Sequence, residues 1–167
     1  DISVDYGRVT QHYQTRWSDP TLPAGVLRGR PPHLLSNLNE TEAEAPSDVE
    51  AGTLSPRAEI ADQYDEKAVL YVLDLGVDGM TMAVSTKHAF KPGDCVAVER
   101  ASNYLNLRGI NRGFCNPDNH AMIMRLRSNS VAAANQCRRA REQQVLEAAF
   151  ENLALKREAI GMLCDGS

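Results

Sequence analysis

Aromatic side chains are scarce in this chain, at 5% of 167 residues. Any core it forms must therefore be aliphatic and small. No apolar run approaches the roughly 20 residues that a membrane-spanning helix requires. Also missing are the Gly-x-Ser-x-Gly elbow, the Walker loop and the Rossmann glycine fingerprint, whose backbones present a nucleophile or cradle a phosphate. The carboxylates crowd into one segment that forms no cleft. These absences predict a non-enzymatic protein with no catalytic residue, no cofactor and no metal site. A zinc set of His88, Cys95, Cys115 and His120 has the right atoms, but its spacing contains no compact ligand pair.

What is present suits a globular domain, 43% apolar and 24% charged. The net charge of −4 hides a segregation. Between Glu40 and Glu66 nine acids face a single base, Arg57, whereas between Arg100 and Arg141 eight arginines face only Asp118. That asymmetry reads as an acidic tether and a basic face. Arg108, Arg112, Arg125, Arg127, Arg138, Arg139 and Arg141 are the candidate anion- or partner-binding residues, because the guanidinium fork matches phosphate and carboxylate geometry. An anionic lipid surface or an acidic protein is the favoured partner. Nucleic acid is disfavoured, since only Tyr104 and Phe114 are there to stack bases and the chain as a whole is acidic. The alternative reading remains a basic-face adaptor or nucleic-acid-binding module using Arg100–Arg141.

The pattern of apolar residues predicts an α+β protein: a small antiparallel β-sheet or partly open barrel with one long C-terminal helix. Residues 1–17 read as a strand joining the barrel, bulged or bent at Gly7. Residues 18–66 are rich in proline and acid and read as an extended linker, with islands at Val26-Leu27 and Leu34-Leu35 that dock on the core. Asn39-Glu40-Thr41 within it fits a glycosylation pattern. Residues 67–127 hold the core. Ala68–Leu75 is a strand covered on both faces, Asp78-Gly79 a hairpin turn, and Met80–Thr86 the strand that pairs back. Lys91-Pro92-Gly93-Asp94 is a type II turn. Cys95–Arg100 places Val96 and Val98 on one face and Cys95, Ala97 and Glu99 on the other. Asn103–Ile110 carries Leu105, Leu107 and Ile110 on one side. His120–Arg127 alternates and reads as a fifth core strand or the first turns of a helix, with the strand preferred because Ser128-Asn129-Ser130 follows as a break with an N-cap. Residues 130–164 read as a helix about 50 Å long, whose overhang favours a homo-oligomer through that helix.

Four cysteines, Cys95, Cys115, Cys137 and Cys164, are the disulfide candidates, and an even number suits an oxidising compartment. Along a continuous helix Cys137 and Cys164 stand roughly 40 Å apart and cannot bridge. Cys95–Cys115 is then preferred over Cys115–Cys137, whereas a kinked helical hairpin restores Cys137–Cys164. The chain starts at Asp1, which is compatible with a removed signal peptide.

Val4-Asp5-Tyr6-Gly7-Arg8-Val9, the hairpin around Asp78-Gly79-Met80-Thr81, and Phe90-Lys91-Pro92-Gly93-Asp94-Cys95-Val96 together resemble the SlyB-type outer-membrane lipoproteins of Gram-negative bacteria. The glycine zipper of that family has no counterpart here, and its pattern does not include the long C-terminal helix and its cysteines. The resemblance implies a periplasm-facing or outer-membrane-associated structural or interaction protein of the cell envelope. It also implies a lipidated cysteine upstream of Asp1 and another envelope protein as a possible partner.

Overall fold

The computed structural model describes residues 1–29, 67–146 and 160–165. Five strands form one antiparallel sheet: β1 (Ser3–Arg16), β2 (Lys67–Asp74), β3 (Met80–Ser85), β4 (Cys95–Ala101) and β5 (Tyr104–Ile110). Their order is β3-β2-β1-β4-β5. Strands β4-β1-β2-β3 thus have the spatial order of a Greek key, in which a later strand returns to lie beside the first. The α+β class and the antiparallel sheet stand as expected, and the sheet is not closed into a barrel.

The N-terminal strand occupies the centre. Ser3–Arg8 pair with β4, and Arg8–Arg16 pair with β2. One long strand therefore serves two strand sets in succession, and the change of partner falls where it bulges. That bulge lies between Val9 and Gln11, not at Gly7 as the sequence suggests. Gly7 has a different task. A Cβ there would stand 2.8 Å from Leu75 Cδ2 and 3.4 Å from Leu73 Cβ, so glycine lets β2 approach.

The turns follow their residues. In the loop before β4 the Asp94 amide donates to the Lys91 carbonyl (3.0 Å), and Gly93 takes φ +97°. Asp94 also accepts from the Lys91 amide (3.0 Å), and this bond holds its carboxyl below the usual range. The same turn caps β1: the Val9 amide donates to Asp94 O and the Gly93 amide to Val9 O, both at 2.8 Å.

The outer edges of β3 and β5 are each met by the segment after β1. Leu27 pairs with β3, donating to Met82 O (2.8 Å) and accepting from the Val84 amide (2.9 Å). Two residues on, Gly29 lies against β5 so closely that a Cβ would stand 2.8 Å from the Leu105 amide nitrogen. The segment 27–29 therefore touches both edge strands of an open sheet. Val26 and Leu27 pack on the core as the apolar-island reading anticipates. Leu34-Leu35 and Asn39 lie outside the described residues.

One face of the sheet carries the main core, including Val9, Tyr71, Leu73, Val96, Val98 and Leu107. The other face buries Val4 and Ala97 beneath Ala134 of the helix. Ile110 packs on this second face, opposite Leu107, so it does not join the Leu105–Leu107 side. Strand parity requires this, since residues an odd number apart point to opposite faces.

Residues 120–127 are helical, which corrects the strand reading. Asn111 and Asn116 each cap a short 3-10 turn through their side-chain oxygens (to Gly113 N, 2.7 Å, and Asp118 N, 3.0 Å). The chain then enters α1 (His120–Arg125) and α2 (Arg127–Leu146). The Met-Ile-Met alternation misleads because Ile123, Leu126, Val131, Ala134 and Cys137 also recur at helical spacing. Ile123, Ala134 and Cys137 are buried. The break falls at Leu126 (φ −90°, ψ 0°), and Ser128-Asn129-Ser130 lie inside α2.

A straight helix over residues 130–164 is also excluded. Cys137 bonds Cys164 with a Cα–Cα distance of 5.0 Å, so the chain must reverse between them. Residues 160–164 form a helical turn beside the sheet. Residues 147–159 of the expected helix, whose overhang would favour a homo-oligomer, lie outside the described residues. The other pair is Cys95–Cys115, at a Cα–Cα distance of 5.9 Å, and Cys115–Cys137 does not form.

Candidate functional site: a buried charge cluster and an arginine shoulder

The β4–β5 register sets Ala97 opposite Arg108 and Glu99 opposite Asn106. Side chains of Glu99, Asn106 and Arg108 therefore share the face that turns toward α2. Glu99 is 1% exposed, and a carboxylate so deep must be paired. Arg108 donates to both of its oxygens, through Nε to Oε2 and through Nη2 to Oε1. Asn106 Nδ2 adds a bond to Oε1 (2.9 Å). The guanidinium then reaches outward to the carbonyls of Leu163 (2.7 Å) and Ala133 (3.3 Å), tying the C-terminal turn and α2 to the sheet.

Lys87 enters from the end of β3. Its ammonium contacts Asn106 Oδ1 (2.8 Å), Leu107 O (2.8 Å), Cys164 O (3.2 Å) and Asp165 Oδ1 (2.8 Å). Burial pushes its pKa below the ordinary lysine value, and the bond to Asp165 opposes that shift. Lys87 thus spans from the β3 edge to β5, while the Gly109 amide donates to Asp165 O (3.2 Å). Beside it, the Tyr104 hydroxyl sits 2.9 Å from Cys137 Sγ, and burial raises its pKa to about 12.

Above Glu99 and Arg108 lies a cleft of about 220 Å³ between the sheet and α2. Its walls include Tyr6, Ala97, Ile110, Phe114 and Leu126. Tyr6 donates to Ser130 Oγ across one side (2.7 Å) and packs on Phe114 at 5.3 Å between ring centroids. The cleft is smaller than the usual drug-sized site, and its charged floor is internally satisfied.

The seven candidate arginines do not form one face. Arg108 is a structural ion pair and cannot serve as an anion site. Arg112 is exposed and stands 3.9 Å from Asp94. Arg138 is half-buried and donates to Asn135 Oδ1 (3.1 Å), and Arg141 is half-buried too. Arg125, Arg127 and Arg139 are exposed, with no ion pair to any described residue. Arg125 and Arg127 flank the α1–α2 break beside exposed Met122 (50%) and Met124 (48%). The four cysteines are all in disulfides, so Cys95 and Cys115 have no thiolate to offer a metal. The disulfides suit an oxidising, non-cytoplasmic location.

Sequence reading missed Lys87, Asn106 and Asp165 and treated Glu99 only as a face marker. A charged residue in the middle of an otherwise apolar strand, two residues from the pairing position of an arginine, is the signal that finds Glu99–Arg108 once register is known. No feature of the sequence marks Lys87, because its partners lie 19 to 78 positions away. No protein-family model, no curated protein and no solved structure matches this chain.

Proposed function

We propose that this protein is a non-enzymatic, exported interaction module of the cell envelope, whose α1–α2 shoulder docks on an anionic lipid surface. The observation that carries this reading is the arrangement of exposed Met122 and Met124 beside exposed Arg125 and Arg127, which form no ion pair among the described residues. Methionine side chains suit the boundary between headgroup and acyl chain, and guanidinium groups suit the phosphates above it. Cys95–Cys115 ties the segment leading into this shoulder to β4, so the patch sits on a fixed platform. The buried charges satisfy one another, which supports a non-catalytic role.

The likeness to SlyB-type lipoproteins supports a periplasm-facing or outer-membrane setting. A lipid anchor would supply the second attachment that a patch this small requires for stable binding. The test is co-sedimentation with vesicles containing phosphatidylglycerol, set against vesicles of phosphatidylcholine alone. Each arginine contributes about 1 kcal/mol near a charged membrane, so Arg125→Gln with Arg127→Gln should weaken binding by about 30-fold. Equal binding to neutral vesicles, or an unaffected double variant, rejects the proposal.

A further inference from the structure

The sheet protects its edges unevenly. The outer edge of β3 is paired by Leu27. The outer edge of β5 is met by Asp165 O, Lys87 Nζ and Gly29. The remaining edge belongs to β1. Beyond Arg8 that strand has β2 on one side only, because β4 has already turned away. From Gln11 to Thr15 its other edge has no backbone partner among the described residues.

This stretch is open in its side chains as well. Thr10 to Gln14 are all exposed, and Tyr13 is 51% exposed. Its sequence, Thr-Gln-His-Tyr-Gln-Thr, is rich in strand-forming residues and contains no lysine, proline or carboxylate. Those are the devices by which exposed edges are normally kept from pairing. The slot is short and bounded. At one end Val9 has both backbone groups bonded to the Lys91–Asp94 turn. At the other, Trp17 is buried (6% exposed) and the chain turns away.

We propose that this open edge pairs with the same edge of a second copy, giving a two-fold symmetric antiparallel β1–β1 junction. The length and charge of the slot point to this occupant. A slot closed at Val9 and Trp17 admits a strand no longer than the one that the second copy presents. In an antiparallel register centred on Tyr13, His12 meets Gln14 and Gln11 meets Thr15. No two like charges face each other, so the edge is complementary to itself, as a two-fold interface must be. Backbone pairing supplies the affinity and the two Tyr13 rings meet on the axis.

The experiment is sedimentation equilibrium of the full chain across a concentration series, combined with hydrogen exchange at those amides from Gln11 to Thr15 that point away from β2. A reversible dimer is expected, with exchange at these amides slowing as concentration rises. Tyr13→Lys sets two like-charged lysines directly opposite each other at the axis, with their Cβ atoms about 5 Å apart. It should weaken the dimer at least tenfold while leaving the melting temperature unchanged at concentrations dilute enough for monomer. A chain that stays monomeric to about 1 mM overturns the proposal. So does protection of these amides that is independent of concentration, or a dimer that Tyr13→Lys leaves intact.

Discussion

Replacing Arg108 by alanine tests the reasoning about the buried cluster most directly. The guanidinium contributes two bonds to Glu99, which is 1% exposed, and two more to the carbonyls of Leu163 and Ala133. Without it the carboxylate, itself 1% exposed, retains Asn106 Nδ2 alone among the described residues. Breaking a buried pair from one side costs about 3–5 kcal/mol, because the remaining charge is stranded. For a chain of this size each kcal/mol lowers the melting temperature by about 2–4 °C, so a fall of about 10–15 °C is expected. The single tryptophan, Trp17, is buried and gives a fluorescence signal for urea unfolding, with calorimetry as the second probe. Removing both charges, Glu99→Leu with Arg108→Leu, should cost less than Arg108→Leu alone, because no charge is stranded. A loss below about 1 kcal/mol for Arg108→Ala, or strict additivity in the double variant, refutes the claim that the pair acts as a unit.

Two further outcomes follow from the same region. Serine in place of both cysteines of either disulfide should cost about 3–4 kcal/mol by the loop-entropy argument, read as a shifted urea midpoint. Losing Cys137–Cys164 should also speed hydrogen exchange at Gly109, whose amide bonds Asp165. An unchanged Gly109 would show that Lys87 and Arg108 alone hold the C-terminal turn. At alkaline pH, Tyr104, raised to about 12, and Tyr71, also raised by burial, hold their protons longer in the native state. The unfolded chain then binds fewer protons, so their stabilisation is complete below pH 10 and is lost as pH rises toward 12. Lys87 has the opposite sign: its lowered pKa makes stability rise with pH up to its ordinary value. Tyr104→Phe should therefore flatten the alkaline loss, and spectrophotometric titration at the tyrosinate band should show one ionisation fewer near pH 12. A slope unchanged by the substitution rules out Tyr104 as its source.

Periodicity served well where it was unambiguous. The alternation in Cys95–Arg100 assigned Val96 and Val98 to the core and Glu99 to the other face, and the turn residues at Lys91–Asp94 announced their own geometry. It failed at His120–Arg127, where Met-Ile-Met fits two periods and burial of Ile123 in the folded protein goes with the helix. It failed again for the long helix, because helix propensity carries no information about where the chain reverses. The arginines show the same limit in another form: composition grouped seven of them, and the fold buried Arg108 in an ion pair and left Arg125, Arg127 and Arg139 outside.

What the sequence determines by itself, then, is local: strand faces, turn chemistry, an aliphatic core, and a cysteine count suited to oxidising surroundings. These depend on residues within a few positions of one another. Tertiary structure alone decides that the N-terminal strand is central, that Cys137 meets Cys164, and that Lys87 and Arg108 tie the C-terminal turn to the sheet. It also decides that half of β1 has a backbone partner on one side only among the described residues. Each of these depends on which distant segments share register and burial, and neither spacing nor composition encodes that.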